Sequence, residues 1–159
     1  SHPIAIRYPR GRGVTKNWEV PFEKITIGKG QCLQMGSQIA VLSLGPIGNT
    51  VSEALNHPEL KGKAAHYDMR FAKPLDTELM DEVLSRYTTI FTVEDGCRSG
   101  GFGSAILEYA SNSNSSAKIN IMGIPDEFIE HGPVEELHKL AGIDAQSLQS
   151  EFLRVLDED

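Results

Sequence analysis

The run Ile39–Leu44 (Ile-Ala-Val-Leu-Ser-Leu) is apolar almost without a break and stops at Gly45-Pro46. A strand with one wet face alternates polar with apolar residues, so an unbroken run of this length predicts a strand covered on both faces. Ile47, Val51, Ala54 and Leu55 then recur at helical spacing over 47–56, and the alternation of strand and helix repeats down the chain. Ala64–Asp68 reads as a weaker strand. Asp76, after Pro74, predicts an N-cap for a helix that buries Leu79, Met80, Val83 and Leu84. Thr88–Val93 is the next strand, and Gly100-Gly101-Phe102-Gly103 opens a helix to about Ser111 with Ala105, Ile106 and Tyr109 inward. After the polar loop Ser111–Ser116 come a last strand, Ile119–Met122, and two helices, Val134–Leu140 and Ala145–Leu156, the second capped by Asp144. Strands separated by helices are joined by crossovers, which predicts an α/β fold. The expected architecture is a mostly parallel five-stranded sheet with an antiparallel edge strand and helices on both faces. The edge is expected from Ile25 and Ile27, Gly28-Lys29-Gly30, Cys32 and Leu33, and Met35-Gly36-Ser37, read as short strands joined by a Gly turn.

With 159 residues the length favours one domain. A chain of this size buries roughly 68–70% of the surface its unfolded form exposes, enough for one core. Neither an apolar run of the ~18 residues that span a bilayer nor a signal-peptide pattern is present. Cys32 and Cys97 lack metal-ligand spacing and are too few for a disulfide framework, which fits a cytoplasmic protein. The net charge of −7 argues against nucleic acid and anionic membranes as partners. That charge is uneven: residues 1–30 hold six bases (Arg7, Arg10, Arg12, Lys16, Lys24, Lys29) against two acids, and the remainder nine bases against twenty acids. The β-prone run Pro3–Gly11 reads as the end of something upstream. Residues 12–24 read as a connector pinned to a surface by Trp18, Val20 and Phe22.

Few motifs carry chemistry. Gly100–Gly103 before Ser104 suits an anion cradle at a helix N-terminus, and equally suits close packing of helix on strand. It lacks the Lys-Ser/Thr of a P-loop and the spacing of a dinucleotide fingerprint, which leaves packing the better fit. Glu94-Asp95-Gly96 followed by Asn120 imitates a signature that holds Mg²⁺ against thiamine diphosphate. Glu94 and Ile121 stand where that signature needs Gly and Asn, so the match is a decoy. Glu94 and Asp95 are instead expected at strand ends, where loops meet a neighbouring surface. The histidines (His2, His57, His66, His131, His138) share no metal spacing and form no Ser/His/Asp set. Arg10 stands apart. Pro9 fixes its own φ and restricts Tyr8, and Gly11 permits a sharp bend, so Tyr-Pro-Arg-Gly is a stiff turn. A guanidinium on such a turn suits bidentate phosphate contact, and it also suits a surface salt bridge.

Five blocks, in order over nearly the whole chain, resemble the 1-deoxy-D-xylulose-5-phosphate synthase family. They are Ala5-Ile6-Arg7-Tyr8-Pro9-Arg10-Gly11, Asp68–Asp76 (Asp-Met-Arg-Phe-Ala-Lys-Pro-Leu-Asp), Thr92–Gly96, Gly100–Ser104, and Gly123–Ile129 with His131-Gly132. The family is similar to transketolase and has a diphosphate-binding, a pyrimidine-binding and a C-terminal domain. The resemblance implies that residues 1–24 are the end of the pyrimidine-binding domain and its connector, and 25–159 the transketolase-like C-terminal domain. It further implies an enzyme that condenses pyruvate with D-glyceraldehyde 3-phosphate, losing CO₂, on thiamine diphosphate and Mg²⁺ for isoprenoid and thiamine precursors. The metal motif and catalytic residues of the family match nothing here, so no cofactor, metal or catalytic residue is expected in this chain. Arg10 matches the family's substrate-phosphate arginine. The implied partners are the other domains and a second subunit of a homodimer. The alternative is a stand-alone regulatory or anion-binding module using the Gly100–Gly103 turn.

Overall fold

The computed structural model describes residues 3–9, 13 and 19–158. Its elements run β1 (Gln31–Gln34), β2 (Ile39–Leu44), α1 (Gly48–Ala54), β3 (Ala64–Asp68), α2 (Thr77–Arg86), β4 (Thr89–Cys97), α3 (Phe102–Asn112), β5 (Lys118–Ile124), α4 (Val134–Ala141) and α5 (Ala145–Glu158). The five strands form one sheet in the order β1-β3-β2-β4-β5. β3, β2, β4 and β5 are mutually parallel, and β1 pairs antiparallel with β3 at the edge.

Both faces of this sheet are covered. On one face Ile39, Val41, Phe91 and Val93 pack against Val51, Ala54 and Leu55 around α1 and against Leu148, Phe152 and Val155 of α5. The Phe91 and Phe152 rings meet edge-to-face, with centroids 4.9 Å apart. On the other face Ala40, Leu42, Tyr67 and Ile90 meet Met80 and Val83 of α2 and Phe102 and Ile106 of α3. Crossovers of a single hand explain the division. The β2-to-β3 connection steps one way along the sheet and puts α1 on one face, whereas β3-to-β4 and β4-to-β5 step the other way and put α2 and α3 opposite. The direction reverses between β2 and β4, whose carboxyl ends pair Leu44 with Glu94.

The edge differs from the sequence expectation. Ile25 and Ile27 form no strand and are exposed. The backbone turns at Thr26–Lys29, with Gly28 at φ +73°. β1 pairs instead with the distant β3, because Asp76 captures the turn. The Asp76 carboxylate accepts from the Gly30 amide at 3.0 Å and the Leu79 amide at 3.2 Å, and Lys29 Nζ lies 3.1 Å away. Asp76 is thus both the expected N-cap of α2 and the tether of β1. Asp144 caps α5 as expected, accepting from the Gln146 and Ser147 amides. Two other expectations fail. α3 is turned slightly from the expected face: Phe102, Gly103, Ile106 and Ala110 are buried, while Ala105 and Tyr109 are half-buried. Val20 and Phe22 are exposed rather than pinned, since the helices already cover the sheet, and Trp18 lies outside the described residues.

Burial favours the protonated form of the Asp76 carboxyl, but the two amides and Lys29 outweigh it and hold its pKa below the usual value. Its contribution is therefore present above the ordinary carboxylate range and fades as pH falls through the folded pKa. Asp76→Ala removes the cap and frees two amides, and is expected to cost about 1–3 kcal/mol. Asp76→Asn, which keeps an acceptor, is expected to lose less. Urea unfolding of both variants at neutral pH measures the difference.

Candidate functional site

In open α/β sheets, sites form outside the carboxyl ends of the strands where strand order reverses. Here that point is the end of β4 beside Leu44, where Glu94, Asp95 and the Gly100–Gly103 turn converge. Successive residues of a strand point to opposite faces, so the adjacent Glu94 and Asp95 leave β4 in different directions, at a point where its pairing with β5 is irregular between Val93 and Cys97.

Glu94 turns inward and is nearly fully buried. Its carboxylate accepts from the Phe102 amide at 3.0 Å and the Gly103 amide at 2.8 Å. A helix N-terminus presents free N–H groups and a partial positive charge, and here the anion that answers it is the protein's own. The glycines follow from this closeness. A Cβ on Gly101 would lie 2.6 Å from both Glu94 carboxylate oxygens, and one on Gly103 would meet Ile121 Cγ2 at 2.5 Å and Thr92 Oγ1 at 2.6 Å. The Gly-rich turn therefore packs helix against strand, and Glu94 occupies the amides that an external phosphate would use. The Mg²⁺-like pattern fares no better: the Asn120 side-chain amide donates to the Ile90 carbonyl at 3.4 Å. Among the described residues no cluster of His, Cys, Asp or Glu is arranged to hold a metal ion. These residues do not fit thiamine diphosphate with its Mg²⁺.

Asp95 faces outward. Its Oδ2 lies 3.9 Å from Arg7 Nη2, and its Oδ1 lies 3.5 Å from Nε2 of His138 on α4. The extended segment 3–9 thus meets the domain at the end of β4. Beside this contact is an apolar pocket of about 270 Å³ lined by Ile124, Phe128, Ile129, Val134 and Leu137, with Asp95 and His138 at its rim. His131, in the loop before α4, is exposed. Arg10, the site residue expected from the Tyr-Pro-Arg-Gly turn, lies outside the described residues. At the end of β3, Asp68 Oδ1 accepts from the Arg70 amide at 3.1 Å, with Arg70 at φ +56°. That turn accounts for the start of the Asp68–Asp76 block.

A buried polar group lies under α1. His66 on β3 places Nε2 2.8 Å from Ser43 Oγ on β2 and Nδ1 3.3 Å from Ser52 Oγ on α1. Ser43 and His66 are buried while Ser52 is exposed, so the set joins helix to sheet from the interior outward. Burial disfavours the imidazolium and lowers the His66 pKa to about 4, against a smaller upward pull from Asp68. A histidine inside an apolar strand was the available signal; its serine partners, distant in sequence, left none.

The transketolase C-terminal domain family model matches residues 28–148. The chain is 52% identical over 149 residues to a 1-deoxy-D-xylulose-5-phosphate synthase of Cytophaga hutchinsonii, which covers 92% of this chain and 23% of that protein. The protein of the same name from Bacteroides thetaiotaomicron is 47% identical over 154 residues, covering 96% of this chain and 24% of its own length. The chain thus spans about a quarter of these relatives. Among solved structures, a split-gene transketolase described as an inactive β4 tetramer superposes with a TM-score of 0.75 at 27% identity, over 85% of this chain and 44% of that one. Transketolase of Campylobacter jejuni shares the fold, with a TM-score of 0.56 at 14% identity over 80% of this chain and 18% of that one.

Glu94→Ala leaves two buried amides without acceptors and is expected to cost about 2–6 kcal/mol, at 1–3 for each unsatisfied group. Glu94→Gln, which turns an NH₂ toward one amide, should fall between. Denaturant titrations compare them, and millimolar phosphate is expected to leave the wild-type melting temperature unchanged. For His66 the folded pKa of about 4 lies below the unfolded 6.5. The unfolded chain therefore binds the proton that the folded chain refuses, and stability falls as pH drops from 6.5 to 4, by about 3 kcal/mol at most. His66→Gln should lose this slope in denaturation measured across that window.

Proposed function

The chain belongs to the transketolase C-terminal domain family, and from that membership we propose that it is the C-terminal part of a 1-deoxy-D-xylulose-5-phosphate synthase. The observation that carries this reading is 52% identity maintained over 149 residues with a protein of that name. The complete enzyme joins pyruvate to D-glyceraldehyde 3-phosphate with release of CO₂, and its product enters isoprenoid and thiamine precursor synthesis. Thiamine diphosphate, with Mg²⁺, supplies the electron sink for decarboxylation. The described residues offer that group no place, so in this reading the cofactor and the catalytic residues belong to the other domains.

This chain then has two tasks. Residues 1–24 close the pyrimidine-binding domain and connect it to the C-terminal domain, 25–159. On that connection Arg10 contacts the phosphate of D-glyceraldehyde 3-phosphate, with a bidentate guanidinium on a turn stiffened by Pro9. The second task is support of the homodimer and of the other domains. Exposed Ile4, Ile6, Tyr8, Phe22 and Phe128 support it, since apolar side chains concentrated on one segment and beside one pocket mark surface that meets a partner. The anion-module alternative is weakened by Glu94, which holds the amides it would need.

The 159-residue chain alone, given both substrates, thiamine diphosphate and Mg²⁺, is expected to form no product. In the complete enzyme Arg10→Ala should raise KM for D-glyceraldehyde 3-phosphate by roughly ten- to a hundredfold, the loss of a charge-assisted contact at about 1.4 kcal/mol per factor of ten. KM for pyruvate, which carries no phosphate, should stay within about twofold. Arg10→Lys should recover part of the loss, because an ammonium keeps charge without the planar fork. Steady-state kinetics with each substrate varied in turn checks all three.

A further inference from the structure

We propose that α4 and the loop before it form the surface on which the domain preceding this chain docks. The inference rests on the reading above, in which the chain is the C-terminal part of a larger enzyme, and it names the partner of one face. None of the residues of α4 is buried. At about 100° per residue Val134, Leu137, Leu140 and Ala141 share roughly one third of its circumference, and Glu135, Glu136 and Lys139 lie opposite. Leu137 and Ala141 are half-buried, but Val134 is 60% and Leu140 77% exposed. Phe128, which lines the apolar pocket together with Leu137, is wholly exposed. A helix of eight residues is too short to persist on propensity, and packing of its apolar face is what holds such a helix in a protein. This domain uses half of that face and leaves the other half for a partner.

The occupant is set by where the rest of such an enzyme lies. This chain spans 23% and 24% of the relatives it matches, and the family model that fits it is that of a C-terminal domain, so in this reading the remaining length precedes it. The extended segment 3–9, which leads out of that length, lies at the rim of the same pocket. There Arg7 Nη2 is 3.9 Å from Asp95 Oδ2, and His138 of α4 faces the other carboxylate oxygen. A domain that ends in this segment is delivered beside α4. Charge agrees with that placement. Asp95, Glu127, Glu130, Glu135 and Glu136 surround the apolar face, and the side chain that the incoming segment presents to them, Arg7, is basic. The matching patch on the preceding domain is expected to be apolar with a basic rim.

Amide hydrogen exchange of α4 in the complete enzyme, compared with the 159-residue chain, tests this. Exchange in the complete enzyme is expected to be slower by about tenfold or more. Leu140→Asp and Phe128→Asp change exposed side chains, so each should leave the melting temperature of the 159-residue chain where it is. In the complete enzyme each should return α4 exchange to the rate of the chain alone, because an apolar anchor at the centre of an interface has been lost. Equal exchange in the two wild-type proteins would overturn the proposal, as would protection that survives both substitutions. Protection lost on dilution to single subunits would assign the face to a second copy and overturn it too. A complete protein that protects α4 yet forms no product from pyruvate and D-glyceraldehyde 3-phosphate would sink the reading of function and keep the docking, so the two fail separately.

Discussion

The central strand β2 has no wet side. Ile39, Ala40, Val41 and Leu42 are all fully buried, and successive residues point to opposite faces of the sheet. Apolar side chains on both faces stabilise the fold only if something apolar covers each, so β2 obliges the chain to place helices above and below. α1 and α5 meet one demand, and α2 and α3 the other. The position of β2, the turning point from which crossovers leave in opposite directions, lets one crossover hand satisfy both.

That arrangement brings the carboxyl ends of β2 and β4 together and aims the first turn of α3 at them. The positive end of a helix now sits beside a buried strand end, and Glu94 neutralises it from within. In other α/β proteins such a place receives a phosphate. Here the interior carboxylate and the close-fitting Gly101 and Gly103 turn it into a packing joint. The neighbouring Asp95 points outward, so one strand end both closes the core and meets the segment that leads into the domain.

Much of this was legible in the sequence, for a physical reason. The all-apolar β2, the helical spacing of α1 and α2 and the caps at Asp76 and Asp144 are local patterns whose meaning depends on near neighbours. The Gly28 turn misled because a Gly turn between apolar residues resembles a hairpin locally; the outcome was decided by Asp76, far along the chain, which took Gly30 and Lys29 and left Ile25 and Ile27 unpaired. The inward face of α3 was missed by a fraction of a turn, since a glycine can be the most closely packed residue of a helix without looking apolar.

The sequence by itself determined the alternation of strands and helices and the two-sided burial of the sheet, because each depends on residues a few positions apart. Only the tertiary structure decided which anion answers α3, which carboxylate meets Arg7, and which serines surround His66. Those partners stand 8, 88, 14 and 23 positions apart in the chain. At such separations a pairing is set by which strand ends and helix ends the fold brings within hydrogen-bond reach, and residue order carries no record of that until the sheet is assembled.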